Sequence, residues 1–195
     1  QKGKNFLMKI EINHHKKSFL ISNNFNSNIY NVLAATAVMS VYMNIFELSK
    51  NIFLNSHIPK GRGDISCIKI KNKRINLIDE SYNSNPLSLQ SAILNFEKID
   101  TKKSKKYLLI GDMLELGSHS KKLHKSIAPI INKTKINKVF VKGNNVKLIF
   151  QKLSKSKKGR VLHNKSQIIE FIKKDLNNND YLMIKASNAT GFNQI

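Results

Sequence analysis

The chain has 195 residues, 41% of them apolar and 24% charged, which is room for a sizeable core and the makeup of a folded protein. No apolar run reaches the roughly 18 residues that span a bilayer, the opening residues Gln1 to Lys4 lack the apolar stretch of a secretory signal, and Cys67 is the single cysteine. These features argue against membrane insertion, secretion and a disulfide scaffold, so a cytoplasmic protein is expected, with Cys67 a buried strand residue.

The formal charge of +22 raises nucleic-acid binding, yet of 34 basic residues only Arg62, Arg74 and Arg160 are arginine, the residue that suits bidentate phosphate recognition. Lysines scattered among asparagines and isoleucines fit adenine- and thymine-rich coding better, and no nucleic-acid partner is expected. The densest basic runs, 98–106 and 152–160, fall between predicted elements and read as solvated loops.

In chain order, Phe6, Met8, Ile10 and Ile12, then Phe19 and Ile21, alternate around His14-His15-Lys16-Lys17, predicting a hairpin with those four residues at its turn. Asn28 can cap a helix in which Ile29, Leu33, Ala37 and Val41 recur at helical spacing, and a second short helix is predicted over 44–54. This opening reads as the tail of a domain whose start is absent. HIPKGRGD at 57–64 interrupts the pattern with a proline and two glycines and predicts a domain boundary, dividing the chain into 1–58 and 59–195. Two strands follow, Ile65 to Ile70 and Arg74 to Ile78. Helices over 87–99, 120–131, 146–155 and 166–175 then alternate with strands over 107–110, 138–141, 161–162 and 181–184. That βαβ order predicts an α/β fold with a mostly parallel sheet covered by helices on both faces.

Two corners carry the chemistry. LIDESYNSNP (77–86) and LLIGDMLELG (108–117) each read as an apolar strand that breaks into a turn of carboxylates, amides and hydroxyls, at the strand end where open α/β sheets bind ligands. Asp79 and Glu80 followed by five polar residues exceed what capping one helix requires, and a carboxylate there can accept hydrogen bonds from sugar hydroxyls. Gly111 and Gly117 bracket Asp112 and Glu115, a loop shape that allows close backbone approach. The two corners are expected on neighbouring strands, with Glu80 and Asp112 facing one cleft. His119 and His124 are five apart, off the spacing of a helical metal pair, and His124 is expected to pack or to lie on a helix surface.

The ordered strings SNIYNVLAA (27–35), PKGRG (59–63), LIDESYNSNP, LLIGDMLELG with SxxxH (120–124), and IKAS (184–187) resemble the Mur ligases. The two corner strings match the branch that joins D-Ala-D-Ala to a UDP-N-acetylmuramoyl-tripeptide in peptidoglycan synthesis. The resemblance implies ATP and Mg²⁺ as cofactors, an acyl-phosphate route, and a chain that holds the tail of a central ATPase domain (1–58) and a Rossmann-like C-terminal domain (59–195). The sequence does not reveal the oligomeric state, and a monomer is the default expectation. By motif, it implies that Asn28 and Asn31 lie beside adenine, that Arg62 reaches the nucleotide and that Glu80 accepts ribose hydroxyls. Tyr82, Asn83 and Asn85 would then face the substrates, and Asp112, Lys185 and Ser187 would line the peptide end.

Three positions depart from the family pattern: Ser27 stands where a histidine is usual, Glu80 where aspartate is commoner, and Ala186 where a glycine is usual. No GxxxxGK[ST] string occurs, so the phosphate-cradling loop and the Mg²⁺ ligands are expected outside this chain, which alone should not catalyse ligation. The competing readings are another ligase of the superfamily, such as a folylpolyglutamate synthase, and a basic α/β module that binds nucleic acid.

Overall fold

The computed structural model describes residues 5–22, 29–56 and 60–192, and the chain divides into two compact units, Gln1–Pro59 and Lys60–Ile195. In the first, β1 (Phe6–Ile12) pairs antiparallel with β2 (His15–Ile21), from Phe6 opposite Ile21 to Ile12 opposite His15. The connection is two residues long, Asn13 and His14, both at positive φ (48° and 65°), the geometry that matches the twist of a tight hairpin. His15, Lys16 and Lys17 therefore belong to β2 and not to the turn predicted for them. Met8, Ile10, Phe19 and Ile21 share the buried face and pack with Val32 of α1 (Ile29–Tyr42) and with Ile45.

Asn28, the predicted cap of α1, lies outside the described residues. The helix predicted over 44–54 does not form. A single 3₁₀ turn, Ile45–Glu47, is capped by the Asn44 side chain, and turns follow it. The Lys50 carbonyl accepts the Leu20 N–H at 2.8 Å, tying the segment to the hairpin, and its own bonds are isolated turns (Ile52 N–H to the Ser49 carbonyl, Leu54 N–H to that of Asn51) instead of a continuous helical ladder.

In the second unit six strands lie in the order β3-β4-β8-β5-β6-β7. β3 (Asp64–Ile70) and β4 (Lys73–Glu80) form an antiparallel pair, while β4, β8 (Tyr181–Lys185), β5 (Lys106–Gly111), β6 (Lys138–Lys142) and β7 (Lys158–Val161) are mutually parallel. α2 (Pro86–Lys98), α3 (Ser120–Asn132) and α4 (Lys147–Lys152) cover one face, and α5 (Lys165–Asp175) covers the other. Alternation in β5 explains both layers: Leu108 and Ile110 meet Phe96, Ile127 and Ile149, whereas Tyr107 and Leu109 meet Phe171 and Ile172. Each such fully buried side chain contributes about 1.5–3 kcal/mol.

The predicted elements of this unit all occur, with two shifts. α4 is shorter than predicted, and β7 begins at Lys158 instead of 161, in a polar stretch where Gly159 packs on the Phe140 ring. Cys67 is exposed, against the buried position predicted, because it sits on the outward side of the edge strand β3.

Candidate functional site

The two polar corners stand at the carboxyl ends of β4 and β5, but β8 runs between them: Glu80 lies opposite Lys185, and Lys185 in turn opposite Ile110. The expectation of neighbouring strands is corrected accordingly. The third strand supplies the cation that organises the site. Lys185 is buried, its ammonium 3.5 Å from Glu80 Oε2, and it donates to the carbonyls of Glu80 (3.4 Å) and Asn83. Burial pushes the Glu80 carboxyl above the usual carboxylate range; Lys185 and Arg62 oppose that push and Asp79 adds to it. Burial likewise depresses Lys185, with Glu80 resisting.

The turn from 60 to 63 closes over this pair. Gly63 N–H donates to the Asp79 carbonyl (2.7 Å) and Tyr82 N–H to the Gly61 carbonyl (3.0 Å), and both glycines have positive φ. A Cβ at Gly63 would stand 2.7 Å from Glu80 Oε1, so glycine is required for the carboxylate to hold its place. Between the glycines Arg62 is exposed, its guanidinium 4.2 Å from the centroid of the half-exposed Tyr82 ring. Glu80, Arg62 and Tyr82 thus form one cluster, with a carboxylate, a guanidinium and an aromatic face.

The other corner residues are occupied. Asn85 caps α2: its side chain accepts the Ser88 N–H (2.8 Å) while Ser88 Oγ accepts the Asn85 N–H (3.0 Å). Asn83 Oδ1 accepts the Ser84 N–H (2.7 Å). Asp112 turns to the loop after β6, where Oδ1 accepts the Val146 N–H (2.7 Å) and Oδ2 the Asn144 N–H (2.9 Å). Both its oxygens are thus engaged by backbone, and Asp112 and Glu80 do not meet across one cleft. Ser187 Oγ accepts the Leu114 N–H (3.1 Å) and donates to the Ser84 carbonyl (3.3 Å), joining the two corners. Asn31 is exposed on α1 of the first unit, and Asn28 lies outside the described residues.

Sequence reasoning underrated His124. It is fully buried, and its Nε2 accepts the Met113 N–H (3.1 Å). An amide can only donate, so the ring carries its hydrogen on Nδ1, which faces the Ser120 carbonyl at 2.8 Å. The SxxxH spacing that marks the helix start is the signal of this latch. With Asp112 and Ser187 it fixes the first half of the 111–117 loop, leaving Leu114 and Glu115 exposed. A cavity of about 470 Å³ at the amino end of β5 and β6 is lined by Tyr107, Arg160 and Asp175, groups already bonded to one another.

A mostly parallel sheet covered by helices on both faces, with polar corners at the carboxyl ends of its strands, defines an α/β domain of the doubly wound type. Residues 66–188 match the Mur ligase, glutamate ligase domain, and the chain belongs to that family. Among curated relatives it is 35% identical over 170 residues to the UDP-N-acetylmuramoyl-tripeptide–D-alanyl-D-alanine ligase of Buchnera aphidicola, covering 83% of this chain and 34% of that protein. It is 32% identical over 124 residues to the enzyme of the same name from Bacillus subtilis, covering 62% and 27%. The chain thus spans about a third of the length of these relatives. Its fold is shared by the MurF ligase of Thermotoga maritima, solved in complex with ADP (TM-score 0.70, 20% identity, 96% of this chain and 41% of that one). MurF of Acinetobacter baumannii is similar too (TM-score 0.75, 17% identity, 97% and 41%).

Proposed function

We propose that the chain is the C-terminal portion of an ATP-dependent ligase that joins D-Ala-D-Ala to UDP-N-acetylmuramoyl-tripeptide in the cytoplasm. The names of its curated relatives support the substrates, and ADP in the Thermotoga structure supports the nucleotide. The observation that carries the reading is the Glu80–Lys185 pair under the Gly61–Gly63 turn, with Arg62 laid on Tyr82. A carboxylate held at the end of a strand can accept two ribose hydroxyls, and an exposed guanidinium beside it suits phosphate or ribose oxygens.

ATP supplies the activation: its terminal phosphoryl group passes to the tripeptide carboxylate, ADP leaves, and the dipeptide amine then displaces phosphate to form the amide. This chain's own residues orient and enclose. Lys185 fixes Glu80 and the Asn83 carbonyl, so the SYNSNP turn keeps its shape as the nucleotide enters. Ser187, Asp112 and His124 hold the 111–117 loop, which presents Leu114 and Glu115 toward the peptide end. Asn83, Asn85 and Asp112 act by shaping backbone, while Tyr82 and Arg62 contact ligand directly. Asn28 and Asn31 are assigned to the adenine. Magnesium ligands are assigned to the part of the relatives that this chain does not span, and residues 1–58 to the tail of their ATP-binding domain.

The test joins this chain to the preceding portion of a relative and measures phosphate release. Release that requires ATP, the UDP-linked tripeptide and D-Ala-D-Ala together, and that falls at least about a hundredfold in Glu80→Ala, supports the reading. Release with glutamate as acceptor in place of the dipeptide overturns it.

A further inference from the structure

From Leu116 to Ile169 the chain has no Asp or Glu, while it carries thirteen lysines and one arginine. A bias toward lysine explains abundance along the whole chain, but it does not by itself remove carboxylates from one continuous stretch. The fold concentrates that stretch. α3 and α4 pack side by side on the same face of the sheet, with Ile127, Ile131 and Ile149 turned into the core. Lys121, Lys122, Lys125, Lys133, Lys152 and Lys155, on these helices and just beyond their ends, are exposed. Among the described residues none of these six forms an ion pair; the pairs of this unit are Arg160–Asp175, Lys174–Glu170 and Lys185–Glu80. Other lysines of the stretch are held by carbonyls, Lys138 by Lys158 and Lys157 by Thr134 and Ile136.

We propose that the α3–α4 surface docks on an anionic lipid bilayer, as a peripheral contact without insertion. Charge complementarity fits such a partner, because clustered lysines bind a diffuse negative surface through ammonium point charges. Nucleic acid fits less well. The one arginine of the stretch, Arg160, is tied to Asp175, α3 has no Phe, Tyr or Trp, and Phe150 on α4 is half-buried with Lys158 over its ring, so no stacking platform is exposed on these helices. This inference does not depend on the proposed ligase activity.

The test is sedimentation of the 195-residue protein with phosphatidylcholine vesicles, with and without phosphatidylglycerol. The protein is expected to pellet only with the anionic vesicles and to be released by about 0.5 M salt. Replacing three lysines of α3 (K121Q, K122Q, K125Q) should weaken binding about a hundredfold. The same charge loss elsewhere (K69Q, K71Q, K173Q) should change it by less than about threefold. Circular dichroism confirms that both variants fold. Binding to neutral vesicles, equal losses in the two variants, or displacement from the vesicles by a charge-matched DNA duplex would each overturn the proposal.

Discussion

At the scale of single residues, Lys185 is the side chain on which the candidate site depends. It is buried with one carboxylate and two carbonyls around it, so its ammonium exchanges water for partners that all belong to the 80–83 turn, about a hundred residues away in sequence. In Lys185→Met the chief influence opposing burial of Glu80 disappears, and the carboxyl rises further. A carboxyl raised in the folded state binds its proton more tightly there than in the unfolded chain. Its contribution is complete below the ordinary value of 4.5 and is lost as pH rises through the folded value. Lys185 itself is depressed, so in the parent its own contribution grows toward high pH, and the variant loses that as well. Urea unfolding should therefore show the variant losing more stability between pH 5 and pH 8 than the parent does; parallel pH curves would contradict the pairing.

At the scale of elements, strand ends and helix ends are tied by side chains that sit far away in sequence. Lys73 donates to the carbonyls of Lys173 and Leu176 at the end of α5, Lys106 to that of Glu97 in α2, and Lys157 to those of Thr134 and Ile136 just after α3. Part of the basic composition thus caps helices, where cations also complement the helix dipole. The contact between β5 and β8 is similarly specific. A Cβ on Gly111 would stand 2.6 Å from the Ala186 Cβ and 2.6 Å from the Phe192 ring. The Ala186 side chain is accommodated because position 111 has none. Gly111→Ala should cost about 1–3 kcal/mol in urea unfolding. Adding Ala186→Gly should recover part of that loss; no recovery would show that Phe192 alone sets the limit.

At the scale of the whole molecule, the second unit holds two complete apolar layers, one under α2–α4 and one under α5, built entirely from residues after 60. Residues 60–195 expressed alone should melt in a single cooperative transition with the near-ultraviolet dichroism of a packed core. A broad transition, or dye binding typical of a molten state, would show that the layers need the first unit.

Much of this was legible in the chain itself. The switch between period-2 and period-3.6 apolar spacing located the helices and strands of the second unit apart from β7, and the polar strings after β4 and β5 located both corners. β7 was misplaced because KKGRV carries almost no apolar pattern, and the 44–54 helix was overpredicted because the Lys50 carbonyl is claimed by Leu20. Local pattern determined the elements, their order and the chemical character of the corners, since propensity, capping and alternation act between residues close in sequence. Only the tertiary structure decided that β8 slips between β4 and β5, that Lys185 thereby reaches Glu80, and that Asp112 and His124 brace a loop. Strand neighbours and buried hydrogen bonds are settled by which packing leaves the fewest polar groups without partners, a condition that residues a hundred positions apart must satisfy together.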